Sequence, residues 1–417
     1  MNPPIMNRSA LVLTFLGTVT IGCNYTQVFE LPPPADADAG ADPTTTIVPD
    51  AGCGSASDPD NCGVCGHSCL GGACRSGRCE PVVLASGQGD SSWPGYTSDV
   101  GSPHEGPDRL AVDATHVYWL NLRGELRRVP VTGGAPELVA RTAPRPCWIA
   151  LHGSFVYFTT LAGEVHRVAK DNRNVAAPEK IAGAQASRRG IHLFSGVYPT
   201  ELSIVGDQLY WADGTGVYSC PASGCTGAPA IVDEGSLELR PISFAIDGAG
   251  GRYRSAELHR STGPSSWEIE YVVSTFHEDR WLGLAESTAY YELHGGKEEV
   301  YALATTPLGV TGVVRWTASS VTFLASGAAV PAAPRGLALD DAAVYWANAP
   351  PPRIAVEERT ASVVRCAKTG CASPEVLAEG QIVPRAVAVA KDAVYWTTGD
   401  GNVMKIAKPA GDGGRLP

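Results

Sequence analysis

Two groups of residues in this chain have types and spacings that could do chemistry. Cys53, Cys62, Cys65, Cys69, Cys74 and Cys79 fall within 27 residues, with His67 among them. Thiolates and an imidazole at such intervals suit a tetrahedral zinc ion, whereas in an oxidising compartment the same six would close three disulfides. Disulfides are the favoured reading: the count is even, and a segment with hardly any apolar side chains can fold only if crosslinked. The second group is His104, His192 and His259, spread over three irregular stretches. If a fold brought them together, they could hold a divalent ion that polarises an oxyanion or activates water, as in a metal-dependent lyase or hydrolase. The usual catalytic signatures are missing from the sequence. No serine has glycine two residues away on both sides, and there is no HExxH, GxxxxGK[ST] or GxGxxG. No catalytic residue, metal site or cofactor is therefore assigned.

The elements that would position such residues are repeats. Leu110 to Ala140, LAVDATHVYWLNLRGELRRVPVTGGAPELVA, reads as four short strands split by polar or glycine turns, and later segments copy it. An antiparallel meander of this kind buries both faces only if similar units stack beside it, which predicts an all-β propeller of four-stranded blades. Tyr118-Trp119, Tyr157-Phe158, Tyr210-Trp211, Tyr290-Tyr291, Tyr345-Trp346 and Tyr395-Trp396 are taken as second-strand markers. Phe244-Ala-Ile-Asp247 matches Leu110-Ala-Val-Asp113 and marks a further, degenerate copy from Pro241 to about Phe276. Seven blades are favoured, with six as the alternative. On a pleated strand the two rings of each pair point to opposite faces, so they are expected to pack between blades.

Pro81 to Gln88 (PVVLASGQ) matches Pro374 to Gln381 (PEVLAEGQ), the fourth strand of a later copy, while the last copy, Ala386 to Lys408, ends after its third strand. The N-terminal strand is therefore expected to complete the C-terminal blade and remove an open edge. Cys220 and Cys225, and Cys366 and Cys371, flank the third turn of two copies and are expected to staple those turns. Cys147 is left as a small buried thiol.

Composition limits the partners. The chain has 417 residues, with 47 glycines and 32 prolines, as a turn-rich β protein needs. Its formal net charge of -11, with no cluster of Lys or Arg, argues against nucleic acid. Residues 1–22 read as a leader: Arg8, then an apolar run from Ala10 to Ile21 too short to span a bilayer comfortably. Residues 24–52 carry a proline run and then Ala, Asp, Gly and Thr, which predicts a disordered tether. The module occupies 53–80 and the propeller 81–417.

Three resemblances add to this reading. Thr20-Ile21-Gly22-Cys23 resembles a bacterial lipobox, which implies that Cys23 is lipidated and becomes the new N-terminus; Asn24 then implies the outer membrane or cell surface. DxxNCGxCGxxC followed by GGxCxxGxC, in residues 58–79, resembles the cysteine-rich motif of stigma-specific-like proteins, which implies a spacer or adhesive knob. The VYW, LYWAD and VYWTT strings resemble YWTD-type repeats and the TolB-like and NHL-like exported bacterial propellers.

In a meander, connections that leave the fourth strand and those between the second and third strands emerge on one face of the ring. The long excursions, 89–109, 183–200, 259–266 and 347–360, all belong to that set. They carry Trp93, Tyr96, His104, Arg188, Arg189, His192, Phe194, Tyr198, His259, Arg260, Arg353, Glu357 and Glu358. Aromatic rings beside Arg and Glu suit a glycan or an extended protein segment. The expectation is a lipid-anchored cell-envelope protein that binds such a ligand. The alternatives are the metal-dependent lyase or hydrolase and a purely architectural surface protein.

Overall fold

The computed structural model describes residues 54–88, 107–121, 124–142, 146–160, 163–183, 201–213, 216–234, 239–248, 252–263, 266–275, 289–306, 310–317, 320–327, 334–348 and 360–410. The leader, Cys23, the tether and Cys53 lie outside them. Among the described residues every regular element longer than a turn is a strand. The cysteine-rich module contributes a two-residue pair, β1 (Cys74–Arg75) and β2 (Arg78–Cys79), and β3 (Val82–Ala85) follows directly.

The remaining strands form consecutive antiparallel meanders. The first sheet is β4 (Pro107–Val112), β5 (His116–Asn121), β6 (Glu125–Pro130) and β7 (Glu137–Arg141). The second is β8 (Pro146–His152), β9 (Phe155–Thr160), β10 (Val165–Ala169) and β11 (Glu179–Ala182), and the third is β12 (Glu201–Val205), β13 (Gln208–Asp213), β14 (Gly216–Pro221) and β15 (Ala230–Glu234). Next comes a three-stranded sheet of β16 (Leu239–Ile246), β17 (Arg252–Gly263) and β18 (Ser266–Thr275). Four-stranded order resumes with β19 (Ala289–Gly295), β20 (Val300–Thr305), β21 (Thr311–Trp316) and β22 (Val321–Ser326), then β23 (Pro334–Leu339), β24 (Ala343–Asn348), β25 (Thr360–Ala367) and β26 (Glu375–Ile382). The last sheet is β27 (Val387–Val389), β28 (Ala393–Thr397) and β29 (Val403–Ala407), with β3 as its fourth strand. In that closure Val403 pairs with Ala85, and Lys405 with Val82.

The first strand of each sheet packs on the first strand of the next, and β27 returns to β4. The sheets thus stand around a channel as the blades of a β-propeller. The turns follow from sequence: the Asp113 carboxylate accepts the amides of Thr115 at 2.8 Å and His116 at 2.9 Å, and Asp340 does the same for Ala342 and Ala343. Such side-chain turns are what Asp between two strands supplies.

The seams between sheets repeat one device. The tyrosine of one second strand packs forward onto the indole or phenyl ring of the next: Tyr118 with Phe158, Tyr157 with Trp211, Tyr301 with Trp346, Tyr345 with Trp396, and Tyr395 with Trp119 across the closure. All these rings are buried. Burial of each is worth roughly 1.5–3 kcal/mol, so the seams supply most of the ring's cohesion. A cation on the third strand adds a tie to a backbone carbonyl of the next sheet. Arg128 donates to Lys170, Arg167 to Ala222 at 3.0 Å, Arg315 to Lys368 at 3.1 Å, and Lys405 to Val131 at 3.0 Å. Two turn aspartates pair with the following sheet's lysine, Asp113 with Lys170 at 3.0 Å and Asp340 with Lys408 at 2.7 Å.

The cysteine-rich module is held by the disulfides Cys62–Cys74 and Cys69–Cys79, and Cys65 is also disulfide-bonded. It seats on the propeller at the face of the tight turns. Arg78 donates to the Val376 carbonyl at 3.2 Å, and His67 Nε2 lies 2.8 Å from the Lys408 carbonyl. Cys220–Cys225 and Cys366–Cys371 are disulfides that each tie the end of a third strand to the turn after it, with Cα atoms 5.3 and 5.6 Å apart.

Three expectations need correction. Cys147 is not a free thiol: it is disulfide-bonded, with its partner outside the described residues, and in an oxidising compartment burial alone does not keep a thiol reduced. Tyr290 and Tyr291 do not mark a second strand. They lie in β19, a first strand, and β20 (VYALAT) carries Tyr301-Ala302 in the marker position because Trp316 of the third strand supplies the large ring, 4.9 Å from Tyr290. Residues 259–263, expected as part of a loop, are strand. His259 pairs with Ile269 and Arg260 with Glu268, so the chain stays extended until a turn between Gly263 and Ser266.

Candidate functional site

Aligning the first strands by their apolar core places one residue of each at the same level of the channel. That position holds Arg109 in β4, Trp148 in β8, Glu201 in β12, Ser243 in β16, Glu292 in β19 and Gly336 in β23; Ala386 just precedes β27. The backbone is irregular at this level. The ladder shifts register between Pro107 and Arg109, Pro146 and Ile149, Pro241 and Ser243, Tyr291 and His294, and Arg335 and Ala338. Bulges of this kind re-aim side chains, and here they turn this belt toward the channel. Glu292 and its counterpart Gly336 both take the left-handed conformation, with φ of 51° and 63°. Glycine does so freely; for glutamate it is a strained backbone kept by its surroundings.

The belt residues bind one another around the ring. The Arg109 guanidinium lies 4.4 Å over the Trp148 ring, its Nε donates to the Cys147 carbonyl at 3.0 Å, and Nη1 is 3.9 Å from Glu292 Oε1. Glu292 Oε2 accepts the Leu337 amide at 2.9 Å. Glu201 accepts the amides of Phe244 at 2.7 Å and Leu293 at 3.2 Å and shares a hydrogen bond with the Ser243 hydroxyl, whose oxygen also accepts from Leu293 at 2.9 Å. One carboxyl therefore joins three consecutive sheets.

Burial sets the protonation of the two titrating groups. Glu201, 4 % exposed, is pushed up to about 8 by desolvation, with Glu292 adding to the effect and the hydrogen bonds from Ser243 and the Phe244 and Leu293 amides opposing it. His294 is pushed down to about 4, first by desolvation and then by the Arg109 charge. At neutral pH the acid thus holds its proton and the imidazole is uncharged, the reverse of their ordinary states. The His294 ring stands 6.4 Å from Trp148, and among the described residues neither of its nitrogens has a hydrogen-bond partner.

These groups line a cavity of about 410 Å³ whose walls are β12, β16 and β19, with Trp148, Glu201, Asp247 and His294 among its side chains. A second cleft of about 450 Å³ lies outside the ring beside Arg128, Glu137, Lys170 and Arg173. There Arg128 is paired with Glu137 at 2.6 Å and Lys170 with Asp113 at 3.0 Å, so two of its three cations are already neutralised. Among the described residues, the group of metal-type ligand atoms that converges is the sulfurs of Cys62, Cys69 and Cys79. All three are consumed in disulfides, and a disulfide sulfur is not a thiolate ligand.

Of the binding residues expected from sequence, Trp93, Tyr96, His104, Arg188, Arg189, His192, Phe194, Tyr198, Arg353, Glu357 and Glu358 lie outside the described residues. His259 and Arg260 are strand positions of β17. Sequence reasoning did not single out Arg109, Trp148, Glu201, Glu292 or His294. The signal was present: in each copy the residue before the apolar strand core is the belt position, and there the copies diverge most in chemistry.

An antiparallel meander repeated around a channel, closed by an N-terminal strand and carrying a polar belt, defines a β-propeller. Among solved structures, virginiamycin B lyase from Staphylococcus aureus is similar over 73% of this chain and 96% of that one, with a TM-score of 0.50 and 9% identity. A catalytically inactive variant of that lyase with quinupristin matches over 79% of this chain and 99% of that one at the same TM-score and identity. The WD40 propeller domain of Doa1 covers 76% and 97%, with a TM-score of 0.49 and 10% identity. At such identities the likeness extends to the fold alone. No protein-family model matches the chain, and no curated protein matches it.

Proposed function

We propose that this is an exported, lipid-anchored cell-envelope protein whose seven-bladed propeller binds a glycan or protein ligand on one face. The observation that carries the reading is the inequality of the two faces. On one face the longest connection between strands runs from 170 to 178. On the other, connections span 86–106, 183–200 and 349–359, and the β17–β18 hairpin runs past the start of β16 to the same side, while 276–288 joins the end of β18 on the first face to the start of β19 on the second. Long connections on one rim of a rigid scaffold are where binding residues collect. The three-stranded sheet is read as a blade whose fourth strand is degenerate. The cysteine-rich module seats on the opposite face, which leaves the long-connection face clear of the anchored end.

The anchoring part rests on the lipobox resemblance at Cys23 and on the tether, which at roughly 3 Å per residue would reach about 90 Å from a bilayer. Lipidation would take Cys23 out of pairing and leave Cys53 to serve only one of Cys65 and Cys147, so the anchored protein needs one free thiol or one link to another molecule. Cys23→Ala should move the protein from the membrane to the soluble fraction; unchanged partitioning would remove the anchor from the proposal. Binding is tested by immobilising envelope polysaccharides and peptides and comparing the intact chain with variants in which 89–106 or 184–200 is replaced by a short Gly-Ser link. Loss of binding with an unchanged melting curve is expected. Binding that survives both replacements would place the ligand elsewhere.

A further inference from the structure

We propose that the cavity inside the belt is a binding site for a neutral, hydroxyl-rich small ligand, a single sugar residue or a cyclic polyol, held by Trp148, His294 and the bared backbone of the Gly206 turn after β12. The proposal rests on the glycan reading above and adds to it a second, internal subsite of defined chemistry.

The volume, about 410 Å³, is that of a small-ligand pocket, whose usual range begins near 300 Å³. The charges around it are spent. Arg109 is occupied by Glu292, the Trp148 ring and the Cys147 carbonyl. Glu201 is closed by Ser243 and two backbone amides, and Asp247 accepts the Tyr253 hydroxyl. An ionic ligand would lose its hydration here and gain no counter-charge. Glu201, Glu292 and His294 do not bring their ligand atoms together as a metal would require.

What remains unspent is neutral and hydrogen-bonding. An uncharged imidazole offers one donor and one acceptor, the complement of a hydroxyl pair, and those of His294 are unclaimed within the described residues. Glycines end three of the cavity's strands. Gly206, Gly248 and Gly295–Gly296 line it without side chains, and nothing lies within 4 Å of where a Cβ of Gly206 would stand. The Gly248 amide donates to the Gly296 carbonyl and the Gly296 amide to the Glu299 carbonyl, so the backbone open to a ligand is that of the Gly206 turn, while the Trp148 ring supplies an apolar wall for the C–H face of a sugar ring.

The experiment is calorimetric titration of the full chain at pH 7 with D-galactose, D-glucose, N-acetylglucosamine and myo-inositol, with glucosamine and glucuronate as charged counterparts. At least one neutral compound is expected to bind about tenfold more tightly than its charged counterpart. His294→Leu should weaken that binding about tenfold or more, and Trp148→Phe by less, with melting curves like that of the parent. If His294→Leu does not fold, Trp148→Phe and Ser203→Trp, which fills the cavity from β12, carry the test. Absence of binding by any neutral compound overturns the proposal, and so does equal binding of the charged ones. Binding indifferent to His294→Leu, Trp148→Phe and Ser203→Trp overturns it too. If polymeric glycan still binds and that binding is lost on replacing 184–200, the cavity proposal has failed while the loop-face reading stands; loss of both defeats both.

Discussion

The seams between the sheets and the belt around the channel use the same strands under opposite rules. At the seams one solution recurs: a tyrosine forward, an indole or phenyl ring to receive it, and an Arg or Lys reaching a carbonyl next door. At the belt one aligned position carries Arg, Trp, Glu, Ser, Glu, Gly and Ala in turn. Repetition is what stability asks of a closed ring, because seams that bury the same kind of surface hold equally well and a weak one opens the circle. Divergence at a single level is what a site asks, because groups of different chemistry must face one another across the channel.

The comparison breaks first if a seam residue proves dispensable. Trp119→Ala, at the closure seam, should cost about 3–5 kcal/mol in denaturant unfolding. Trp119→Phe should cost less, because the indole N–H there makes no hydrogen bond that would be lost. If the alanine variant unfolds like the parent, the seams do not hold the ring.

The belt should instead announce itself through pH. Glu201 has a folded-state value of about 8, above the ordinary 4.5, so its contribution is present below 4.5 and is lost as pH rises through 8. His294, at about 4 against 6.5, contributes in the opposite sense: its stabilisation is present above 6.5 and is lost as pH falls through 4. Between about 4.5 and 6.5 the two slopes cancel, so stability should be highest there and decline toward pH 8 by an amount on the order of a few kcal/mol. Glu201→Gln should flatten the alkaline decline. A parent profile flat from pH 6.5 to 9 would mean that Glu201 is ionised throughout that range.

Smaller effects sharpen the same contrast. Removing the Cys366–Cys371 staple by a double serine substitution should cost about 2 kcal/mol, because the loop it closes is short. Arg128→Met, which keeps the stem but removes the tie to Lys170 and the pair with Glu137, should cost about 1 kcal/mol. A loss as large as that of Trp119→Ala would show that the polar ties, not the rings, organise the seam.

Much of the fold was legible because its signals are local. Val117 to Leu120 is an apolar run of strand length, Asp113 and Asp340 announce their turns, and the kinship of Pro81–Gln88 with Pro374–Gln381 places β3 beside β29. The aromatic marker misled at Tyr290-Tyr291, since a large ring on a third strand, Trp316, can fill the volume a second-strand ring usually takes. Residues 259–263 misled because polar composition resembles a loop, while cross-strand pairing keeps them extended.

The sequence by itself determined the all-β class, the meander unit, the ring closure and the two turn staples, because each depends on periodicity, turn chemistry or a repeat that a single strand's residues carry. Only the tertiary structure decided the belt. Arg109 meets Glu292 across the channel, and Glu201 reaches amides on two other sheets, over separations of 183, 43 and 92 residues. Their charge states follow from desolvation, which exists only once the ring has closed around them.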